Sequence, residues 1–325
     1  MSHNPLQRLS NALTMTAMRP PVTPQLLLYG PTRDAVELRG ARVLLTGASS
    51  GIGESAAEMF ARCGATVVAV ARRQDRLDLL VHRITEAGGS AEALACDLSD
   101  LDAVDELVAI AEQRLGGVDI LVNNAARSIR RPLAESLERW HDVERTMHLN
   151  YYSPLRLIRG FAPGMLERGD GHIINVSSWG VMSEAAPLFA AYNASKSALS
   201  VLSRAIETEW SCRGVHSTTL YYPLVRTSMI EATSAYDELP TLSADEAAGW
   251  MITAARTRPV RIAPRLAVLT KALDAVSPEF VNFFMNRTGD QAEEADQHST
   301  ARAAPTGRLA RAVRRAVLPA FLHAR

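Results

Sequence analysis

Short, unbroken apolar runs alternate along this chain with longer segments whose apolar positions recur at helical spacing. Arg42-Val-Leu-Leu-Thr46, Thr66-Val-Val-Ala-Val-Ala71, Asp119-Ile-Leu-Val122 and Gly171-His-Ile-Ile-Asn-Val-Ser-Ser178 are such runs, with another before Cys96 and another before Tyr222. Strands buried on both faces read this way, because a parallel sheet covered by helices leaves no face for polar alternation. Ile52, Ala56, Met59 and Phe60 repeat at helical spacing over 54–63, and a later helix begins near Ala190. The expected fold is α/β: a single Rossmann-type doubly wound parallel sheet of about seven strands with helices on both faces.

The ends break this rhythm. Residues 1–37 form an arm in which Pro20, Pro21, Pro24 and Pro31 surround Leu26-Leu-Leu-Tyr29, too interrupted for one helix and suited to a strap over the domain. The Rossmann-fold domain is expected over 38–286. From 287 to 325 the chain is first polar, through Gln291–Gln297, and then basic and amphipathic. There Leu309, Val313, Val317 and Leu318 share one helical side, and Arg308, Arg311, Arg314 and Arg315 occupy much of the other. Such a tail suits a peripheral membrane contact, or docking on a subunit.

Composition narrows the function classes. The chain has 325 residues, 47% of them hydrophobic, with a formal net charge of zero, which gives no bulk electrostatic case for nucleic acid. Cys63, Cys96 and Cys212 show no C-x-x-C or histidine pairing, so neither a disulfide framework nor a metal site is indicated. No apolar stretch approaches the roughly 20 residues that span a bilayer, and the start lacks a compact signal core. Cytoplasmic placement is the expectation, with possible association at a membrane left to the tail.

Two segments carry chemistry. Thr46-Gly-Ala-Ser-Ser-Gly-Ile-Gly53 joins a strand to a helix, where glycines permit a tight turn and helix-start N–H groups face a pyrophosphate. Gly47, Ser49, Ser50, Gly51, Ile52 and Gly53 would line it. After the second strand, Arg72 and Arg73 stand where an acidic residue would select NAD, which favours NADP(H). Asp97 and Leu98 could border the adenine, and Asn124 and Ala125, within Asn123-Asn-Ala-Ala126, follow the next strand. In Tyr192-Asn-Ala-Ser-Lys196 the tyrosine and lysine lie one turn apart, and a lysine ammonium favours the phenolate. Taken singly, each segment also reads as a plain turn or a half-buried helix face. Ser177 or Ser178 could orient a carbonyl, and Asn150 could support a water relay to the lysine.

In this order the motifs resemble those of the short-chain dehydrogenase/reductase superfamily, over roughly Leu38 to Pro264. The resemblance implies a catalytic tetrad of Asn150, Ser178, Tyr192 and Lys196, with Tyr192 and Lys196 also touching the cofactor and Thr227 near its carboxamide. Two departures stand out. The stretch from Ser178 to Tyr192 is one residue longer than the family's commonest spacing, which keeps Ser177 open as a substitute. Leu224 replaces the usual glycine in Tyr222-Pro-Leu-Val-Arg-Thr227.

The substrate half is similar to the bacterial fatty acyl-CoA reductases that form aldehydes, through 123–131, 145–151, 222–230 and Arg258-Pro-Val-Arg-Ile-Ala263. That likeness implies a lipid acyl thioester as substrate. Met229 and Ile230 open an apolar lid, 229–242, that also holds Tyr236, Leu239 and Pro240; Arg127, Arg130 and Arg131 could meet the phosphates of coenzyme A. The rivals are a 3-oxoacyl (β-keto lipid) reductase with the same tetrad, and a non-catalytic NADPH-binding, membrane-associated protein. A homo-oligomer is expected by resemblance.

Overall fold

The computed structural model describes residues 13–20, 35–231 and 239–286; Tyr236, most of the N-terminal arm and the tail from 287 lie outside the described residues. Seven strands, β1 (Arg42–Thr46), β2 (Thr66–Ala71), β3 (Ser90–Ala95), β4 (Ile120–Asn123), β5 (Gly171–Ser178), β6 (Val215–Tyr222) and β7 (Arg261–Ile262), form one sheet in the order β3-β2-β1-β4-β5-β6-β7. All pairings are parallel. The helices that position the site are α1 (Gly51–Arg62), α2 (Gln74–Glu86), α3 (Leu101–Leu115), α4 (Trp140–Met147), α5 (Ser153–Arg168), α6 (Ala190–Trp210), α7 (Ala244–Thr257) and α8 (Arg265–Val276).

Strand side chains alternate between faces, and the apolar residues divide accordingly. Val43 and Leu45 of β1 join Val67, Ala69 and Val122 beneath Phe60 of α1, Leu77 of α2 and Met251 of α7. Leu44 turns the other way, with Val68, Leu121 and Ile173, against Leu107 of α3, Phe161 and Met165 of α5 and Ile206 of α6. Both faces are therefore covered, as the unbroken apolar runs require. The chain winds outward from β1 to β3 and then returns to add β4 on the opposite side, so a crevice opens at the carboxyl ends of β1 and β4.

Two local features shape that crevice. Between α4 and α5 the helix passes through a π turn, His148–Tyr152, and Asn150 within it is wholly buried. Residues 13–18 form a short helix ahead of Pro20, with Met15 packed against the α7 side of the core. The Arg19 carbonyl accepts a hydrogen bond from Arg265 N at the head of α8 (3.1 Å), and its guanidinium lies 3.7 Å from Glu246.

At the amino-terminal edge of the sheet, His172 is fully buried. Thr218 Oγ1 donates its one proton to the Pro259 carbonyl (2.5 Å), so at 2.8 Å it accepts from His172 Nε2. That fixes the tautomer and leaves Nδ1 bare, with no partner among the described residues. Burial first, then the charges of Arg258 and His216, hold this imidazole well below its usual 6.5. The unfolded chain binds a proton below about pH 6.5 and the folded one does not, so stability is kept above that pH and falls beneath it, by up to about 1.4 kcal/mol per pH unit. Replacing His172 by Gln should flatten the acid limb of a plot of thermal midpoint against pH. An unchanged slope would show that other groups set it.

Candidate active site

The glycine loop lies at the carboxyl end of β1. Gly47 and Gly51 have φ of +70° and +58°, in the left-handed region. Gly53 has ordinary dihedrals but no room: a Cβ there would stand 2.2 Å from the Gly47 carbonyl oxygen and 2.7 Å from Asn124 Nδ2. Ser50 is the extended residue before α1, so the first amides of α1 face the crevice. Asn124 braces the loop from β4, its Nδ2 donating to the Thr46 carbonyl (2.9 Å) while its own amide and that of Ala125 donate to Thr46 Oγ1 (2.9 and 3.1 Å). Thr227 closes the other side, since its Cγ2 lies 2.9 Å from where a Gly51 Cβ would be.

Basic and acidic groups flank this cradle. Arg73 Nη2 reaches Ser49 Oγ at 3.3 Å, directly over the loop. Asp97 accepts from the Ser99 hydroxyl (2.7 Å) and amide (3.0 Å). Partial burial opposes its ionisation, but those bonds and the charges of Arg72 and Arg127 prevail and hold the carboxyl below its usual value. Leu98 is buried, and its carbonyl accepts from Ser153 Oγ. The crevice thus has the features a dinucleotide needs: bare amides at a helix start, glycines that clear the backbone, and cations beyond β2.

The residues of the expected tetrad lie on α6, at the end of β5 and in the π turn. Asn150 Oδ1 accepts from Arg127 N (2.8 Å), while Nδ2 donates to Arg127 O and to Ser195 Oγ (both 2.9 Å). Ser195 Oγ in turn donates to the Tyr192 carbonyl at 2.7 Å. The Tyr192 ring meets Phe189 edge-on, with centroids 6.2 Å apart. Lys196, 1% exposed, donates from Nζ to the Val176 carbonyl at 2.7 Å. Burial pushes its ammonium down to about 7, the range in which a proton-transfer group works best at neutral pH.

The two serines part company by strand alternation. Ser200 Oγ donates to the Lys196 carbonyl (2.7 Å), so across the 3.0 Å contact Ser177 is the donor to Ser200. Ser177 is thereby committed to the core. Ser178, at the last position of β5, is half-buried and has no hydroxyl partner among the described residues. The leucine at 224 is accommodated without a left-handed backbone: its carbonyl accepts from Leu242 N (2.9 Å), and Val225 bridges to Leu242.

Toward the substrate side, Met229 is exposed and Ile230 half-buried in the turn of helix Ser228–Glu231. Arg131 Nη1 is bound to the Asp142 carboxylate, which also accepts from Arg139 Nε at 2.8 Å. The Arg139 bond first, reinforced by Arg131, brings Asp142 down to about 2. Arg131 N also donates to the carbonyl of Leu188 (2.7 Å), a residue at φ +71° in the β5–α6 loop. Sequence reasoning missed Asp142, which no periodic signal marks, and Ser195, whose place three residues after Tyr192 could have marked it.

Comparison with known proteins gives the same picture. A family model described as short chain dehydrogenase matches residues 41–238. A Mycobacterium tuberculosis protein named fatty acyl-CoA reductase is 66% identical over 291 residues, 90% of this chain and 99% of the relative. One of the same name from Acinetobacter baylyi is 44% identical, over 77% of this chain and 84% of its own length. Among solved structures, a metagenomic short-chain oxidoreductase in complex with NADP superposes with a TM-score of 0.60 at 30% identity, covering 70% of this chain and 98% of its own.

Proposed function

The chain belongs to the short-chain dehydrogenase family, and from that premise we propose that it reduces long-chain fatty acyl-CoA to the fatty aldehyde with NADPH. The observation that carries the substrate is the 66% identity, across 90% of this chain, to a protein named for that reaction. The cradle of Gly47, Gly51 and Gly53, with Ser49, Ser50 and Ile52 at the start of α1, suits a pyrophosphate. Arg73 over Ser49, with Arg72 beside it, suits a ribose 2′-phosphate. Reversal of charge in Arg73→Glu should therefore lower the kcat/KM preference for NADPH over NADH on the order of 100-fold. An unaltered ratio would remove the arginine from the cofactor site.

NADPH, when bound there, supplies the hydride that reduces the thioester carbon. In our reading Ser178 and Tyr192 donate hydrogen bonds to the oxygen on which negative charge develops. Tyr192 gives up its phenolic proton, and Lys196 stabilises the phenolate that remains. Asn150 locks the Arg127 backbone and, through Ser195, the Tyr192 carbonyl, so the phenol and the loop after β4 keep one geometry. Collapse of the hemithioacetal breaks the carbon–sulfur bond and releases the coenzyme thiol with the aldehyde. The thiols offer no acyl-enzyme route: Cys96 is buried and pushed up to about 11 by desolvation and the carboxylates near it, and Cys63 and Cys212 lie in the segments closing α1 and α6.

Asn124, Ala125, Asp97, Leu98 and Thr227 complete the cofactor cleft in this reading, and Met229 and Ile230 begin the acyl cover. Of the arginines after β4, Arg130 is assigned to the coenzyme phosphates, with Arg131 holding the loop through Asp142. Arg130→Gln should raise KM for acyl-CoA several-fold more than KM for a free aldehyde, on the order of fivefold for one half-buried charge contact. Equal effects would remove that contact. A homo-oligomer in this family's manner would pair α5 and α6 between subunits, where Tyr152 and Val201 are exposed, and sedimentation velocity reads this directly.

The deciding experiment supplies palmitoyl-CoA and, separately, a long-chain 3-oxoacyl thioester, follows NADPH oxidation and traps any aldehyde. Aldehyde from palmitoyl-CoA is the expected result. Turnover of the 3-oxo substrate alone would replace the proposal with a ketoreductase.

A further inference from the structure

Helix α8 faces two ways. On its inner side, Ala267 (2% exposed) and Val268 pack with Ala263, Met182, Trp179 and Tyr221. Trp179 directly follows Ser178, so this side of α8 packs behind the end of β5. Positions 269, 273 and 276 fall within about 60° of one another on a helix of 3.6 residues per turn, and position 267 falls nearly opposite. Leu269, Leu273 and Val276 are 40%, 45% and 85% exposed. The next helix, residues 278–286, is anchored by buried Val281 and adds Phe280, 54% exposed. Large apolar side chains left exposed on two successive helices mark an interaction site.

The charge of the chain that follows says what covers it. From His298 to Arg325 the sequence carries Arg302, Arg308, Arg311, Arg314, Arg315 and Arg325, and neither Asp nor Glu. This follows the acidic stretch of Asp290, Glu293, Glu294 and Asp296 and, in a protein of zero formal net charge, gives the last 28 residues six arginines and no acid. An exposed apolar stripe followed in sequence by an acid-free basic segment matches an anionic lipid surface, which offers both a hydrocarbon boundary and negative headgroups.

We propose that the outer face of α8 and the helix after it dock on an anionic bilayer, so that α8, packed behind the end of β5, sits at the lipid surface. The acyl chain of a substrate would then pass between bilayer and site without crossing bulk water. This rests on the preceding reading only for the identity of what is delivered, and vesicle flotation tests docking without any turnover.

The intact protein is floated with vesicles of phosphatidylcholine, or of phosphatidylcholine and phosphatidylglycerol in equal parts, at low and high salt. It should rise with the anionic vesicles and be released by salt. The double variant Val276→Asp, Phe280→Asp should lose about tenfold in bound fraction, while turnover of palmitoyl-CoA below its micellar range, without vesicles, stays within about twofold, as expected for exposed positions. Equal flotation of variant and wild type would overturn the proposal, as would failure of the wild type to distinguish the two vesicles. A wild-type assembly that the aspartates split would instead make the stripe a subunit interface. Docking with no turnover would leave this inference standing and sink the reductase assignment; turnover with no docking would do the reverse.

Discussion

Tyr192→Phe should lower kcat with palmitoyl-CoA by about 10³-fold, the middle of the range for loss of a positioned acid–base group. The substitution removes one hydroxyl and little else. Phenylalanine keeps the edge-on ring contact with Phe189, and the Ser195 bond is made to the backbone carbonyl at 192, not to the side chain. NADPH affinity should change far less than kcat, since the glycine cradle and Arg73 lie on the β1–β2 side of the sheet. Steady-state kinetics with fluorescence titration of NADPH separates the two effects. A variant that retains a tenth of wild-type kcat would remove Tyr192 from the proton-transfer role.

Gly53→Ala should abolish measurable NADPH binding. The added methyl would meet the Gly47 carbonyl oxygen at 2.2 Å, and that oxygen belongs to the turn beneath the proposed pyrophosphate. The nearest partner is backbone, so the loop itself must move. Asn124 Nδ2, which hydrogen-bonds Thr46, is displaced with it. Overpacking of this kind costs about 1–3 kcal/mol before any loss of cofactor contacts. Gly249→Ala is the matched control: in α7 a Cβ at that position meets nothing within 4 Å, and alanine should raise stability by roughly 0.5–1 kcal/mol. Calorimetric titration with NADPH together with thermal melts reads both variants. Normal affinity in Gly53→Ala would mean the cradle lies elsewhere.

Much of this architecture was legible because its signals are local. β1, β2 and β5 occupy the residues their apolar runs marked, and α6 begins at Ala190. β4 is offset by one, running from Ile120 to Asn123, although the Asp119 backbone still bonds to Arg42 and His172 (both 2.9 Å) on the neighbouring strands. The glycine loop, the basic pair after β2 and the Tyr192–Lys196 helix face were readable for the same reason: each is a spacing within a few residues. What escaped depends on residues far apart in the chain or on the absolute phase of a helix. Ser177 and Ser178 are adjacent and chemically identical in sequence, and only Ser200, on another element, distinguishes them. Arg131 reads as an available cation until the fold brings Asp142 beside it. The short helix at 13–18 lies in an arm where Pro20, Pro21, Pro24 and Pro31 come after it.

The π turn at His148–Tyr152 makes the gene unusually sensitive to the loss of one codon in that stretch. Such a turn is an α-helix carrying one surplus residue, so deleting Leu149, for example, would restore a regular helix in which α4 and α5 keep their mutual phase while the residues of the turn itself are re-aimed. Asp142 would stay with Arg131, but the asparagine would be carried off the Arg127 backbone, although every proposed catalytic side chain would still be encoded. An in-frame deletion at Leu149 should therefore be more damaging than most point changes at the same residue.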